Sequence, residues 1–228
     1  MLVIGHRGAP SMEHENTIES FKKALLYNVD GLEFDVQHTK DKQLIVYHDF
    51  DMEYNQKKYK ISDLTFQELR AFNLNYHIPT FEEVIQMCPN DKLINIEIKS
   101  QNILHNKLLT QIIDILIKYN LSDNVIVSSF NPFVLLALKK KKTPFKIGLL
   151  WSQDPSEGWY VTRYVYKLLQ PYSLHANVES INIKISKWVK SKGMKLFLYT
   201  VNDQKSLQTA YTVNADAIFS DYPKILEK

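Results

Sequence analysis

The chain has 228 residues, 45% of them hydrophobic and 23% charged, enough for one domain with a large buried core and too apolar for a disordered or fibrous protein. Lys and Arg number 28 against 25 Asp and Glu, a formal net charge of +3 that argues against a nucleic-acid partner when no basic stripe accompanies it. The single cysteine, Cys88, excludes an internal disulfide or a cysteine-bound metal cluster and fits a reducing compartment or a secreted protein that needs no staples.

Only Met1 to Ile4 precede the polar His6-Arg7 region, far short of the roughly 7–15 apolar residues of a signal-peptide core. No apolar run approaches the ~18 residues of a membrane span, so no stable membrane insertion and a cytoplasmic location are expected. Strands are predicted at Leu2 to Gly5, Gly31 to Val36, Leu44 to Tyr47, Leu93 to Ile98, Val125 to Ser128, Lys146 to Leu149, Ser173 to Ala176, Lys195 to Thr200 and Ala217 to Phe219. The Leu44 to Tyr47 run prolongs the second strand through a hairpin at Thr39-Lys40-Asp41-Lys42, which leaves eight strand positions. Helices are predicted at Asn16 to Tyr27, Ser62 to Phe72, Thr80 to Met87, His105 to Tyr119, Pro132 to Lys141, Gly158 to Leu168, Ile181 to Lys192 and Asp203 to Thr212. In the first, Ile18, Phe21 and Leu25 share a face, and Asn16 with Glu19 reads as a capping box.

This βα alternation predicts an α/β fold, a (βα)8 TIM barrel forming a single domain over residues 1–228. A doubly wound open sheet is the runner-up, but the usual glycine-rich loop after strand one is missing. The basic stretches Lys139 to Lys142 and Lys57-Lys58-Tyr59-Lys60 read as a solvated helix end and loop.

Glycine is scarce, six in all, yet two flank His6-Arg7 in Gly5-His6-Arg7-Gly8. They permit a sharp turn where strand one ends, and the C-terminal ends of the strands carry a barrel's active site. In Gly31-Leu32-Glu33-Phe34-Asp35-Val36 the period of two puts Glu33 and Asp35 on one face and the apolar residues on the other. Asn95-Ile96-Glu97-Ile98-Lys99 repeats the device. Three carboxylates facing inward from two strands make an all-oxygen site for a hard divalent cation, Mg²⁺ or Ca²⁺, the competing reading being a network of buried ion pairs. His48-Asp49 closes a strand as His6 does, and two histidines beside a metal suit phosphodiester cleavage, one as base and one as acid. Arg7 and Lys99 are then placed to neutralise the phosphoryl oxygens.

With these residues the chain resembles the glycerophosphodiester phosphodiesterase family. The matching pieces run in the family's order: His6-Arg7-Gly8, Glu15-Asn16-Thr17, Glu33-x-Asp35, Thr39-Lys40-Asp41, His48-Asp49, Ile78-Pro79-Thr80-Phe81-Glu82-Glu83, Glu97-x-Lys99, Ser128-Ser129-Phe130-Asn131-Pro132, Thr200-Val201-Asn202 and Ser220-Asp221-Tyr222-Pro223. The resemblance implies a (βα)8 barrel in which Glu33, Asp35 and Glu97 hold the metal, His6 and His48 are the acid/base pair, and Arg7 and Lys99 grip the phosphate. Where the family usually has Trp in the seventh-strand motif this chain has Tyr199. It has Ala176 in place of a Pro after the sixth-strand His175, and Phe50-Asp51-Met52-Glu53-Tyr54 in place of an Arg-Thr-Thr segment. The longer insertion that many members carry after the second strand is expected to be absent. Phe130 and Tyr199 are expected as opposite apolar walls for the substrate's glycerol unit, the Tyr199 hydroxyl making the pocket more polar.

The expected activity is metal-dependent hydrolysis of a small-molecule glycerophosphodiester to sn-glycerol 3-phosphate and an alcohol, by a monomer or homodimer. A lysophospholipase D or sphingomyelinase D-like lipid phosphodiesterase is the alternative enzyme. A catalytically silent binding barrel is the alternative outside enzymology.

Overall fold

The computed structural model describes residues 1–100, 106–153 and 163–225. Eight parallel strands close into a barrel: β1 (Leu2–Gly5), β2 (Gly31–His38), β6 (Leu93–Ile98), β7 (Val125–Ser129), β8 (Lys146–Trp151), β9 (Ser173–Asn177), β10 (Lys195–Tyr199) and β11 (Ala217–Ser220). Closure comes from β1, which pairs with β11 from Leu2↔Ala217 to Gly5↔Ser220 and with β2 at Ile4↔Gly31 and Gly5↔Leu32. The expected (βα)8 barrel is therefore the fold. β3 (Leu44–Val46) folds back antiparallel on β2 through the expected turn, where Thr39 N–H donates to Gln43 O at 3.1 Å.

Outward-facing residues of the strands build the main core. Phe34 of β2 is fully buried, its ring 5.6 Å from Phe21 of α1 (Ile18–Leu26) and 6.2 Å from Phe81 of α3 (Phe81–Met87). Truncating such a ring to alanine costs ~3–5 kcal/mol. The remaining outer helices follow βα order: α4 (Asn106–Lys118), α5 (Pro132–Lys140), α6 (Arg163–Leu169), α7 (Ile183–Ser191) and α8 (Gln204–Thr212). A second cluster inside the barrel, Ile4, Ile126, Phe197, Ala217 and Phe219, fills the space beneath the mouth. Of the helix expected over Gly158 to Leu168, the stretch 158–162 lies outside the described residues, as does His105 of the fourth.

Three local readings change. The capping box at Asn16 and Glu19 does not form: Thr17 caps α1, accepting from Ser20 N–H at 3.2 Å, while Asn16, at φ 57°, turns its side chain into the barrel mouth. The helix expected over Ser62 to Phe72 is a 3₁₀ turn (Ile61–Asp63) followed by α2 (Phe66–Arg70), because Thr65 and Glu68 start a capping box of their own. The hairpin β4 (Asp51–Tyr54) with β5 (Lys57–Lys60) was not expected. With α2 it forms an excursion between β3 and α3 around its own cluster, Ile45, Met52, Ile61, Leu69 and Ile78. The excursion returns through Ile78-Pro79-Thr80: Val46 N–H donates to Pro79 O at 2.9 Å, and Thr80 and Glu83 cap α3. Lys139 of the first basic stretch is not simply solvated: it donates to the Leu168 and Leu169 carbonyls at the end of α6.

Candidate active site

The turn after β1 positions the first two residues of the site. Arg7 sits at φ 52° and Gly8 at φ 92°. A Cβ on Gly8 would come within 2.6 Å of the Ser20 carbonyl carbon, so only glycine fits there. Ser20 Oγ fastens the turn, accepting from Ala9 N–H at 2.8 Å and donating to Arg7 O at 2.9 Å. A left-handed non-glycine residue costs ~1–2 kcal/mol, and the contacts of Arg7 offset it. Its backbone N–H donates to Glu33 Oε2 at 2.9 Å, and its Nη1 to both oxygens of Glu15 at 2.9 and 3.0 Å; its Nε lies 3.4 Å from Asp35 Oδ2. Burial works to lower the Arg7 pKa, but Asp35, Glu15 and Glu33 raise it above its ordinary value.

Glu33, Asp35 and Glu97 come together as the alternation predicts: Asp35 is paired in register with Glu97, and one oxygen of each of the three lies within 4.8 Å of the others. Asp35 Oδ2 accepts from Asn16 Nδ2 at 2.9 Å, whereas its Oδ1 has no hydrogen-bond partner among the described residues. Lys99 Nζ donates to Glu97 Oε1 at 3.1 Å and lies 3.9 Å from Asp35 Oδ1. The competing ion-pair reading is thus realised in part, but the charges do not balance. Three carboxylates against Arg7 and Lys99 leave one net negative charge, and Glu15 on the same guanidinium adds another. Burial, then repulsion from Asp35 and Glu97, pushes the Glu33 pKa well above its ordinary 4.5. Burial acts on Asp35 in the same direction, yet Lys99, His48 and Arg7 hold it below 3.8. An orphaned buried carboxylate oxygen, an all-oxygen donor set and a residual negative charge are what a hard divalent cation satisfies.

Each histidine leans on a carboxylate. His6 Nδ1 is 2.7 Å from Asp221 Oδ1, and its Nε2 is 4.0 Å from Glu33 Oε2. Asp221 is itself held by Asn202, whose Nδ2 donates to it and whose Oδ1 accepts from its backbone N–H at 2.9 Å. Burial raises the Asp221 pKa, but His6 and Asn202 bring it below the ordinary value. His48 Nδ1 is 2.7 Å from Asp49 Oδ1, and Gln37 of β2 holds that segment by donating to the Tyr47 and Asp49 carbonyls, both at 2.8 Å. With each Nδ1–H given to a carboxylate, each Nε2 is left for proton transfer. Both histidines, Arg7, Glu33, Glu97 and Lys99 line one cavity of about 450 Å³.

Phe130 and Tyr199 also line that cavity, but not as opposite walls. Their rings meet edge to face with centroids 6.1 Å apart, making one continuous surface. The Tyr199 hydroxyl donates to Trp151 O at 3.0 Å, so the polarity expected from it is spent on a backbone carbonyl. The sequence reading gave no role in the site to Glu15, Asn16, Asp49, Asn202 or Asp221. All five belong to motif pieces whose presence it noted, and Asp221 directly follows the last strand as His6 follows the first.

Residues 6–225 match the model of the glycerophosphoryl diester phosphodiesterase family. The chain belongs to this family. A protein of Caldanaerobacter subterraneus subsp. tengcongensis named glycerophosphodiester phosphodiesterase is 34% identical over 99% of this chain and 96% of its own length. The crystal structure of a glycerophosphodiester phosphodiesterase from Thermotoga maritima superposes with a TM-score of 0.80 at 28% identity, covering 99% of this chain and 96% of that one. An Oleispira antarctica phosphodiesterase, solved in complex with the product sn-glycerol-3-phosphate, gives a TM-score of 0.86 at 24% identity over 98% of this chain and 94% of that one, a likeness of fold. Membership accounts for the ordered motif pieces, and with it the reading of the chain as a phosphodiesterase stands.

Proposed function

We propose that the chain hydrolyses glycerophosphodiesters to sn-glycerol 3-phosphate and an alcohol with the aid of Mg²⁺ or Ca²⁺, using His6 and His48 as the acid/base pair. The observation that carries this reading is the pair of carboxylate-backed histidines facing one cavity with the Glu33, Asp35 and Glu97 cluster. Those three carboxylates would hold the cation, which when bound supplies positive charge to the nonbridging oxygens of the phosphodiester. Arg7 and Lys99 add fixed positive charge at the same oxygens. His6, the more enclosed histidine at 16% side-chain exposure against 30% for His48, takes the proton of the glycerol 2-hydroxyl as that oxygen attacks phosphorus. His48, nearer solvent, gives a proton to the departing alcohol. The roles then exchange: His48 deprotonates a water that opens the cyclic phosphate, and His6 returns its proton to the 2-hydroxyl. We assign the whole of residues 1–228 to this one domain and place it in the cytoplasm, a reading supported by its lone, buried Cys88. No helix among the described residues is long and apolar enough to cross a membrane.

Release of sn-glycerol 3-phosphate from glycerophosphocholine, glycerophosphoethanolamine and glycerophosphoglycerol, before and after chelation and with Mg²⁺ or Ca²⁺ restored, tests this. Turnover should vanish on chelation and return with the ion. Undiminished turnover after exhaustive chelation overturns the metal assignment, and no product from any of the three overturns the activity.

A further inference from the structure

Beneath the charged mouth the barrel holds two buried polar atoms that the proposed reaction does not use. Asn95 is 2% exposed and His175 fully buried, and both line the 450 Å³ cavity. Asn95 Oδ1 and His175 Nδ1 have no hydrogen-bond partner among the described residues. Leaving a buried polar atom unpaired costs ~1–3 kcal/mol, so two at the bottom of one cavity need a reason.

Their neighbours fix what each offers. Asn95 Nδ2 donates to Ser128 Oγ at 3.0 Å, and that hydroxyl is directed at Ile96 O at 3.5 Å. The amide nitrogen is thereby engaged and the oxygen is the atom left over. His175 Nε2 is 2.8 Å from Ser173 Oγ. With the serine hydroxyl taken as the donor to Nε2, Nδ1 carries the proton. The ring lies flat on Phe197, centroids 5.0 Å apart with 7° between planes. Gly148 makes room for it, since a Cβ there would come within 2.6 Å of His175 Cε1. Burial also drops the His175 pKa to about 3, so the ring is neutral. A neutral acceptor and a neutral donor suit neither phosphate nor ammonium. They suit a hydroxyl, which gives one hydrogen bond and takes another.

We propose that Asn95 and His175 receive the terminal hydroxyl of the substrate's glycerol unit, which donates to Asn95 Oδ1 and accepts from His175 Nδ1–H. This rests on reading the cavity as a glycerophosphodiester site. Asn95 stands two residues before Glu97 on β6, one inward-facing step or roughly 6.6 Å deeper. The 2-hydroxyl next to the phosphate stays at the level of the carboxylates and His6, and the terminal hydroxyl reaches down. Asn95 and His175 thus act as specificity-determining residues that favour glycerol over any alcohol lacking that group.

The test compares kcat/KM for glycerophosphocholine and for its propane-1,2-diol analogue, which keeps the 2-hydroxyl and lacks the terminal one. The wild type should favour the glycerol substrate by ~10²-fold or more, since buried polar groups left unpaired reject the deficient analogue strongly. His175→Gln, whose amide reaches the Nε2 side and leaves nothing at Nδ1, should reduce that preference to about 5-fold or less, as should Asn95→Leu. His175→Asn, which returns an amide nitrogen near the Nδ1 position, should keep most of it. Thermal unfolding of each variant reports whether it is folded. Calorimetric titration of the wild type needs no variant, and sn-glycerol 3-phosphate should bind ~10-fold or more tighter than propane-1,2-diol 1-phosphate. No wild-type preference in either measurement, or an equal loss on both substrates in His175→Gln, overturns the receptor and leaves a water-filled or structural floor. A wild type that releases no sn-glycerol 3-phosphate overturns the activity itself, and the receptor with it.

Discussion

The cavity has two unlike halves built from the same kind of strand. At the mouth, β1, β2 and β6 present Arg7, Glu33, Asp35, Glu97 and Lys99, all ionisable and all paired at least in part. Around β7 to β11 the lining residues are Phe130, Leu150, His175, Tyr199 and Phe219, with no charge held at neutral pH. Backbone pairing is parallel throughout both halves, so the difference owes nothing to topology. It teaches that each strand of a barrel presents its own inward residues, and a fold can therefore line one cavity with a charged face and a neutral one. Buried charge is tolerated in the first half because each group has opposite charges or a ligand to meet it.

Disturbing the charged half should cost most. Asp35→Ala or Glu97→Ala removes a proposed cation ligand, with several kcal/mol of transition-state charge stabilisation, and should lower kcat/KM ~10³-fold or more; added cation should no longer raise the melting temperature of either variant. Next come the histidines: His6→Ala and His48→Ala should each reduce kcat by ~10²-fold or more, and the double variant should be little worse than the poorer single one. Near-native turnover in either single variant would make that histidine structural. Asp221→Asn keeps the shape beside His6 but not the charge, and should slow turnover roughly 10- to 100-fold while leaving cation binding intact.

A smaller effect lies in stability. The folded-state pKa of Glu33 is raised, so its contribution is fully present below its ordinary 4.5 and is lost as pH climbs through the raised value. Asp35, held low, has the opposite sign and matters only as pH falls below 3.8. In chelator the melting temperature should therefore decline as pH climbs above 4.5 toward the raised value, and the gain on adding Mg²⁺ or Ca²⁺ should grow in the same direction. Glu33→Gln should flatten the slope; a slope equal to the wild type's would assign the pH dependence elsewhere. The neutral half should respond least: Tyr199→Phe deletes one hydrogen bond to a backbone carbonyl, and kcat should change less than about 3-fold while the melting temperature drops slightly.

Much of this was legible in the chain, for local reasons. Glu33 and Asp35 share a face because β2 is extended, and the same rule aligns Glu97 and Lys99, so the cluster needed only the correct strands. His175, Asn95 and Asp221 obey the same alternation or the same strand-end position, but their meaning comes from partners far along the chain. Asp221 is defined by His6 and Asn202, 215 and 19 residues away. The β4–β5 hairpin escaped because its turn is Asn55-Gln56, both residues at positive φ, where the recognisable signal is Asn-Gly. Asn16 was misread as a cap because its partner is a carboxylate on β2 rather than its own helix.

The excursion between β3 and α3 has a consequence for how the enzyme can lose activity. It is a small module with a core of its own, and His48 and Asp49 stand at its threshold, just before β4. His6 and Asp221 directly follow the barrel strands β1 and β11 and pair with each other there. One partner of the proposed proton-transfer pair is thus anchored in the frame and the other is lodged at an annex, whose opening should interrupt turnover without dismantling the barrel. A change within the annex can therefore reach His48 while the strand ends that carry His6 and Asp221 stay as they are.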